Sequence, residues 1–162
     1  MTIDQYTLRN AGNSAAIQRN ATVNQKTAFL CHSHLDQRLA LGLQAVLKQH
    51  GMDLYIDWQD ATMPDNPSAE TAQRLRTRIQ QCHWFLFLAT NNSMTSRWCP
   101  WELGHADGTK VNDRILVVPT LDGNVTYGAE YINLYRRVEV ATDGRLAAFG
   151  PGNHGGRYVN SI

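Results

Sequence analysis

The feature that most constrains the fold of this 162-residue chain is an alternation of short apolar runs with longer amphipathic stretches, beginning at residue 26. Near-continuous apolar runs are typical of parallel strands that are buried on both faces. Five segments have this composition: KTAFLC (26–31), DLYID (53–57), HWFLFLA (83–89), DRILVVP (113–119) and RRVEVA (136–141). Because strands that alternate with helices form a parallel sheet, the sequence predicts an α/β fold with a five-stranded parallel sheet and helices on both faces.

The stretches between the first three runs have helical periodicity. Gly51 stands where a helix C-cap belongs, and Ser68 is placed to cap the following helix. The first stripe consists of Leu35, Leu39, Leu43, Val46 and Leu47, and the second of Ala72, Leu75 and Ile79. A further, short helix is predicted in the segment LDGNVTYGAEYINLY (121–135), between the fourth and fifth strands.

The two ends of the chain lack this pattern. Residues 1–25 are polar and aperiodic, and they are interpreted as an N-terminal arm. A tail, a short packing helix and a contact with a neighbouring chain during assembly stay open for this arm. Residues 26–141 form the predicted domain. Residues 142–162 are rich in glycine and are predicted to be an irregular C-terminal extension.

Polar residues follow three of the predicted strands: CHSH after the first, DWQD after the second and TNNS after the third. Ligands of open parallel sheets bind beyond the carboxyl ends of the strands, where the strand order switches. The start of the SRWCPWEL segment (96–103) reaches the same edge. The sequence therefore predicts that these four elements converge on one ligand site.

The SRWCPWEL segment combines two tryptophans, a proline and a single carboxylate. Proline is tolerated near a helix start, so Pro100 predicts a helix that begins around residues 97–99 and runs to about Gly108. Trp98 and Glu102 are four residues apart and share a face of that helix, whereas Trp101 is predicted to be in the core. Spacing alone leaves open whether Glu102 is a solvated surface residue or the working group of a site.

The sequence was also compared with the motifs of cysteine catalysis, zinc binding and nucleotide binding. Cys99 lacks the second cysteine of a redox pair, although a cysteine nucleophile near a helix N-terminus stays open. Cys31, His32 and His34 are spaced so that a zinc site is conceivable, but no second ligand cluster accompanies them, and no metal is predicted. The sequence contains neither a GxGxxG nor a GxxxxGK[ST] motif, so Rossmann-type dinucleotide binding and P-loop chemistry are unsupported.

Composition limits the partners and the compartment. The net charge of +1 gives no electrostatic argument for nucleic acid or a membrane surface, and no apolar run approaches the roughly 20 residues of a membrane span. The N-terminus lacks the apolar core of a signal peptide, which indicates a cytoplasmic protein. Three unpaired-looking cysteines indicate reduced thiols in or near the core.

Two segments resemble a known family. KTAFLCHSHLDQRLALGLQAVLKQHGMDLYIDWQD (26–60) is similar to the first strand, first helix and second strand of Toll/interleukin-1 receptor (TIR) domains. HWFLFLATNNSMTSRWCPWELGHA (83–106) is similar to their third strand and the helix after it, with the pattern S-x-W-C-x-x-E-L of many plant and bacterial members. The resemblance covers residues 26–141 and implies a flavodoxin-like fold.

The resemblance also implies a function. Animal receptor members are mostly interaction modules, whereas many bacterial and plant members cleave NAD+ at the nicotinamide–ribose bond. The Arg-Asp-x-x-Pro-Gly signature of receptor members is absent here, which favours the enzymatic group. By resemblance, Glu102 is the catalytic carboxylate, and the substrate-binding residues are Phe29, His32, Ser33, Asp57, Trp58 and Trp98.

The expected protein is thus a TIR-domain NAD+ nucleosidase or ADP-ribose cyclase that uses NAD+ as substrate and needs no separate cofactor. It resembles the signal-producing component of Thoeris-like anti-phage defence, in which the nucleotide product acts on a separate effector protein. The family resemblance also implies a homo-oligomer or filament, because a neighbouring subunit commonly completes the site. A catalytically silent interaction module and a flavodoxin-like nucleotide-binding or receiver-type domain remain the alternatives.

Overall fold

The computed structural model describes residues 1–14, 27–64, 66–152 and 155–162. Its helices are α1 (Gln5–Ser14), α2 (Gln37–Gln49), α3 (Ala69–Gln81), α4 (Asn91–Met94) and α5 (Cys99–Thr109). Its first five strands are β1 (Ile3–Asp4), β2 (Thr27–Cys31), β3 (Asp53–Tyr55), β4 (Trp84–Leu88) and β5 (Ile115–Val118). The others are β6 (Thr120–Asp122), β7 (Val125–Tyr127), β8 (Arg136–Val140), β9 (Leu146–Phe149) and β10 (Gly156–Tyr158).

The main sheet has seven strands in the order β10-β9-β8-β5-β4-β2-β3. The five strands from β3 to β8 run parallel, while β9 and β10 are antiparallel. The prediction of an α/β fold with five parallel strands is confirmed for this part of the sheet. As a description of the whole sheet it was wrong, because two further strands make the sheet mixed.

The two extra strands lie in the C-terminal segment that was predicted to be irregular. The LAAF run of β9 pairs with β8, and three of its four residues are buried. Gly144 has φ +84° in the turn between these strands, a backbone conformation that glycine adopts without steric cost. Glycine-rich composition therefore marked a tight hairpin here, and not an irregular chain.

Side chains alternate between two layers of core, one on each face of the sheet. On β2, for example, Leu30 packs toward α1 and α2, whereas Phe29 and Cys31 belong to the layer under α3 and α5. Because β2 and β4 are central, every one of their residues is buried. Helices therefore cover both faces, as the apolar runs predicted.

The helix prediction was correct for α2 and α3 but not for every residue of the first stripe. Gly51 follows α2 with φ +77°, and the Ser68 hydroxyl accepts a hydrogen bond from Thr71 N at 3.1 Å. Leu35, which was predicted to be in the core, is 81% exposed. It lies in a 3₁₀ turn, His34–Asp36, that precedes α2 and is out of phase with it.

A small second sheet replaces the short helix predicted between the fourth and fifth parallel strands. β6 and β7 form a hairpin around Gly123, whose φ is +59°, and β1 pairs in parallel with β6. The Gln5 side chain donates to Thr120 Oγ1 at 2.8 Å, and the terminal amino group of Met1 donates to Val140 O at 2.7 Å. These contacts fix the start of the chain to the domain.

The N-terminal arm contains a helix that belongs to the fold. α1 crosses α2 at Gly12 and Gly42, where a Cβ on Gly42 would overlap the carbonyl oxygen of Leu8. Of the three alternatives for the arm, the structure contains the packing helix. Residues 15–26 lie outside the described residues, and a role of the arm in assembly stays a prediction. In the described parts of the chain, every helix is too short or too polar to cross a membrane.

Candidate active site

The first turn of α5 places Glu102 in a buried position. Pro100 occupies one of the first two positions of the helix, where its missing N–H breaks no hydrogen bond. The Ser96 hydroxyl accepts hydrogen bonds from Trp98 N at 3.1 Å and from Cys99 N at 3.3 Å, and so satisfies the start of the helix. Glu102 is only 6% exposed and is therefore not a solvated surface residue.

Glu102 and Trp98 border a cavity of ≈ 310 Å³. It is open at the carboxyl edge of the sheet, between the end of β2, the loop after β3 and the starts of α3 and α5. Its lining is His32, His34, Asp57, Trp58, Asp60, Ala61, Met63, Pro64, Asn66, Pro67, Thr71, Leu75, Ser96, Trp98 and Glu102. A cavity of this size is at the lower end of the range for small-molecule sites.

Burial governs the electrostatics of Glu102. It raises the pKa of the carboxyl group well above its usual range, since a charge is poorly solvated there. The neighbouring Cys99 and Asp57 raise this pKa further, while the nearby Cys31 thiol lowers it. A cation bound in the cavity would stabilise the ionised form, so the arrangement suits a positively charged ligand.

All three cysteines are free and buried, as predicted from their odd number. The Cys31 thiol donates to Cys99 O at 3.7 Å, and both side chains lie in the core beneath the cavity. Hydrogen bonding from Cys31 lowers the pKa of the Cys99 thiol, against the effect of burial. Because Cys99 is fully buried and does not line the cavity, the cysteine-nucleophile hypothesis is wrong for this site.

His32 is held as a neutral imidazole. The indole N–H of Trp58 is only a donor, so His32 Nε2 accepts its hydrogen bond at 3.0 Å. The proton is then on Nδ1, which donates to Leu30 O at 3.2 Å. Burial lowers the pKa of His32, although Asp57, 3.9 Å from Nε2, opposes this. Both ring nitrogens are thus occupied, and His32 fixes the position of Trp58.

Asp60, which was not among the predicted site residues, anchors the loop that forms most of one cavity wall. Its Oδ2 accepts from Tyr55 Oη at 2.6 Å and from Arg78 Nε at 3.1 Å. Its Oδ1 accepts from Thr62 N at 2.9 Å and from Thr62 Oγ1 at 2.6 Å. The sequence placed Asp60 in the DWQD segment after the second strand, but nothing there identified which carboxylate of that segment is the anchor.

The structure brings five of the seven predicted site residues together: His32, Asp57, Trp58, Trp98 and Glu102. Phe29 is in the core, stacks between Tyr55 and Phe85 and does not line the cavity. Ser33 does not line the cavity either, and its hydroxyl caps the 3₁₀ turn by accepting from Leu35 N at 3.3 Å. Both lie on or after β2, where neighbouring side chains point in different directions.

Two further expectations need correction. Trp101, predicted to be in the core, is only half-buried, with the Arg76 guanidinium 5.2 Å from its ring centre. The TNNS turn does not reach the cavity, since Asn92 donates to the buried Asp36 carboxylate at 2.7 Å. Within the described ranges, no three His, Cys, Asp or Glu side chains are close enough to share a metal ion.

The strand order and the position of the cavity define the class of protein as a flavodoxin-like α/β domain with a ligand site at the carboxyl edge of its sheet. The parallel strands β3-β2-β4-β5-β8 follow the flavodoxin-like order, and the cavity lies at the carboxyl edge where ligands of such sheets bind. Within that class, the chain belongs to the TIR domain family, whose sequence model matches residues 28–144.

Two relatives are bacterial proteins. A protein of Bacillus cereus (strain MSX-D12) named "Probable 3' cyclic ADP-D-ribose synthase ThsB'" is 41% identical over 117 residues, which cover 70% of this chain and 61% of that protein. A Cytobacillus dafuensis protein named "Putative cyclic ADP-D-ribose synthase TIR2" is 27% identical over 95 residues, covering 56% and 25% respectively. The chain therefore matches less than two thirds of the length of either relative.

Proposed function

We propose that this protein cleaves NAD+ at the nicotinamide–ribose bond, as an NAD+ nucleosidase or ADP-ribose cyclase. The observation that carries the proposal is the Glu102 carboxyl group, buried in the first turn of α5 beside the Trp98 ring and facing a cavity. A buried carboxylate is costly for the fold, and strongly perturbed groups in clefts are concentrated at functional sites.

A single carboxylate is sufficient for this reaction. Most glycosidases need a second carboxyl group, because their alkoxide leaving group has to be protonated. Nicotinamide leaves NAD+ as a neutral pyridine, and no general acid is required. What remains is to stabilise the positive charge that develops on the ribose, which a carboxylate at fixed distance in a water-poor site does effectively. Glu102 takes this role.

The substrate itself supports ionisation of Glu102. The nicotinamide ring of NAD+ is cationic, and the Trp98 indole offers an electron-rich face against which a cationic ring stacks. The same positive charge lowers the cost of ionising the buried carboxyl group next to it. Substrate binding thus switches Glu102 into the form that the reaction needs.

The names of the two relatives support a proposal for the product and its use. Both relatives are named as cyclic ADP-D-ribose synthases, so we propose a cyclic ADP-ribose isomer as the product, formed when an internal nucleophile captures the ribosyl cation. We further propose that this product activates a separate effector in anti-phage defence. The modest cavity agrees with a site that a second copy of the chain completes in a homo-oligomer.

The test is mass-resolved chromatography of NAD+ incubated with concentrated wild-type protein, with Glu102→Gln and with Glu70→Gln. Glu70 is a matched control, because its side chain is 63% exposed and lies outside the cavity. We expect nicotinamide release to fall at least about 100-fold in Glu102→Gln only, as for loss of a charge-stabilising group. A co-product lighter than ADP-ribose by one water identifies the cyclic isomer. Absence of nicotinamide from assembled wild-type protein would favour the silent interaction module.

A further inference from the structure

A second cavity adjoins the one that contains Glu102. Its volume is ≈ 380 Å³, and His34 lines both cavities, so the two are neighbours along the carboxyl edge of the sheet. Besides His34, its polar side chains include Arg9 from α1, Arg38 from α2 and Asn92 from α4. The first cavity is small for a whole dinucleotide, which leaves part of the proposed substrate to be accommodated elsewhere.

The second cavity has a cationic character. In the described parts of the chain, Arg38 is exposed and forms no ion pair. Arg9 is 43% exposed; its Nη2 donates to Gln5 Oε1 at 2.8 Å, and its only ion pair in the described parts of the chain is a long one, 3.4 Å from Nη1 to Asp122 Oδ1. The cavity also contains one carboxylate, that of Asp36, but Thr90 and Asn92 donate to its two oxygens.

We infer that the second cavity binds the diphosphate of NAD+, with Arg9 and Arg38 pairing with its oxygens while the nicotinamide end lies against Glu102. Guanidinium groups match phosphate oxygens in both geometry and charge. An exposed, long ion pair such as Arg9–Asp122 contributes little, so an incoming diphosphate displaces it readily. This inference rests on the proposed function.

The apolar rim of the cavity agrees with the other half of the substrate. Leu35 borders the cavity and is 81% exposed, although the helical pattern predicted it to be in the core. An exposed leucine next to two cations provides an apolar surface for the adenosine that the diphosphate carries. Arg9 lies in α1, outside the residues 28–144 that match the family. The N-terminal helix is therefore assigned a part in substrate binding.

The experiment measures binding of ADP by calorimetry, because ADP carries the diphosphate and cannot be turned over by nicotinamide release. The variants are Arg9→Gln and Arg38→Gln, with Lys48→Gln as a control that removes the same charge from the far end of α2. We expect the Kd to rise on the order of tenfold for each arginine variant and to stay unchanged for Lys48→Gln. A Kd within about twofold of wild type in both arginine variants overturns the inference.

A further variant separates ligand binding from loss of the ion pair. If Arg9 acted only by bonding Asp122, Asp122→Asn would weaken ADP binding as much as Arg9→Gln does. We expect Asp122→Asn to bind ADP at least as tightly as wild type, since it removes the anion that competes with the diphosphate for the guanidinium. Equal weakening in the two variants overturns the assignment of Arg9.

Kinetics then connect the cavity to the proposed reaction. Both arginine variants should raise the KM for NAD+ on the order of tenfold with little change in kcat, because they lie away from the bond that breaks. If wild-type protein releases no nicotinamide but binds ADP in an arginine-dependent manner, the proposed function fails while the diphosphate site stands. If nicotinamide is released and the arginine variants are unchanged, the site fails and the function stands.

Discussion

Replacing Asp60 with asparagine tests whether one carboxylate anchors the wall of the active site. Burial by itself would raise the pKa of Asp60, but hydrogen bonds from Thr62 and Tyr55 and the charge of Arg78 lower it from 3.8 to about 2. Each tenfold change in proton affinity is worth about 1.4 kcal/mol, which gives an upper limit of about 2.5 kcal/mol for the ionised group. Because Arg78 is 31% exposed, solvent screening reduces the expected loss in Asp60→Asn to about 1–2 kcal/mol.

Thermal unfolding measures this loss. In a domain of this size, 1–2 kcal/mol corresponds to a fall in Tm of roughly 2–8 °C at neutral pH. The depressed pKa also fixes the sign of the pH dependence. The stabilisation is complete above the unfolded-state pKa of about 3.9 and is lost as pH falls through the folded-state value. The difference between wild type and Asp60→Asn should therefore be constant above about pH 4 and shrink between about pH 4 and pH 2.

Asp143 provides the matched control. Hydrogen bonds from Arg145 and Tyr158 lower its pKa to about 2 as well, but its side chain is 38% exposed, whereas that of Asp60 is 10% exposed. If burial decides the magnitude, Asp143→Asn leaves the Tm within about 1 °C of wild type. Equal destabilisation by the two variants, or a Tm difference for Asp60→Asn that persists at pH 2, would refute the reasoning.

Two further predictions concern the carboxylate and the N-terminal helix. Burial raises the pKa of Glu102, and the reaction needs its anion. The fall of kcat/KM for NAD+ on the acid side of the pH profile, its acid limb, should therefore occur at a pH well above the pKa of an ordinary glutamate. Asp57→Asn should move that limb to lower pH, because it removes a negative charge that raises this pKa; an unchanged limb contradicts this coupling. Gly42→Ala should destabilise the fold by about 1–3 kcal/mol in urea titrations, because its Cβ overlaps the backbone of Leu8; a neutral effect would show that α1 moves away freely.

Most of the central fold was predictable because it depends on local pattern. β2 and β4 are buried at every position, and a strand that is buried on both faces requires a near-continuous run of apolar residues. The caps at Ser68 and Gly51 are likewise local, since each involves only neighbouring residues of the chain. The predictions failed where short strands were embedded in glycine-rich sequence, as in β9, whose pairing with β8 is a tertiary property.

The same distinction between local pattern and tertiary contact applies to the site. The spacing of Trp98, Pro100 and Glu102 fixed their placement in the first turn of one helix, and the family resemblance supplied the role of the carboxylate. The orientation of side chains along β2 and just after it was harder to predict. Phe29 and His32 are only three residues apart, but Phe29 faces the core and His32 faces the cavity.

The sequence by itself determined the order of the five parallel strands and of the helices between the first three, the caps of those helices and the residue types gathered at one edge of the sheet. These properties follow from hydrophobic periodicity and from backbone chemistry that acts over a few residues. Only the tertiary structure decided that Asp60 is the anchor of the loop, that Glu102 is buried above two thiols and that Arg9 reaches a cavity next to the site. Each depends on groups far apart in the chain meeting in space, and no local pattern records such a meeting.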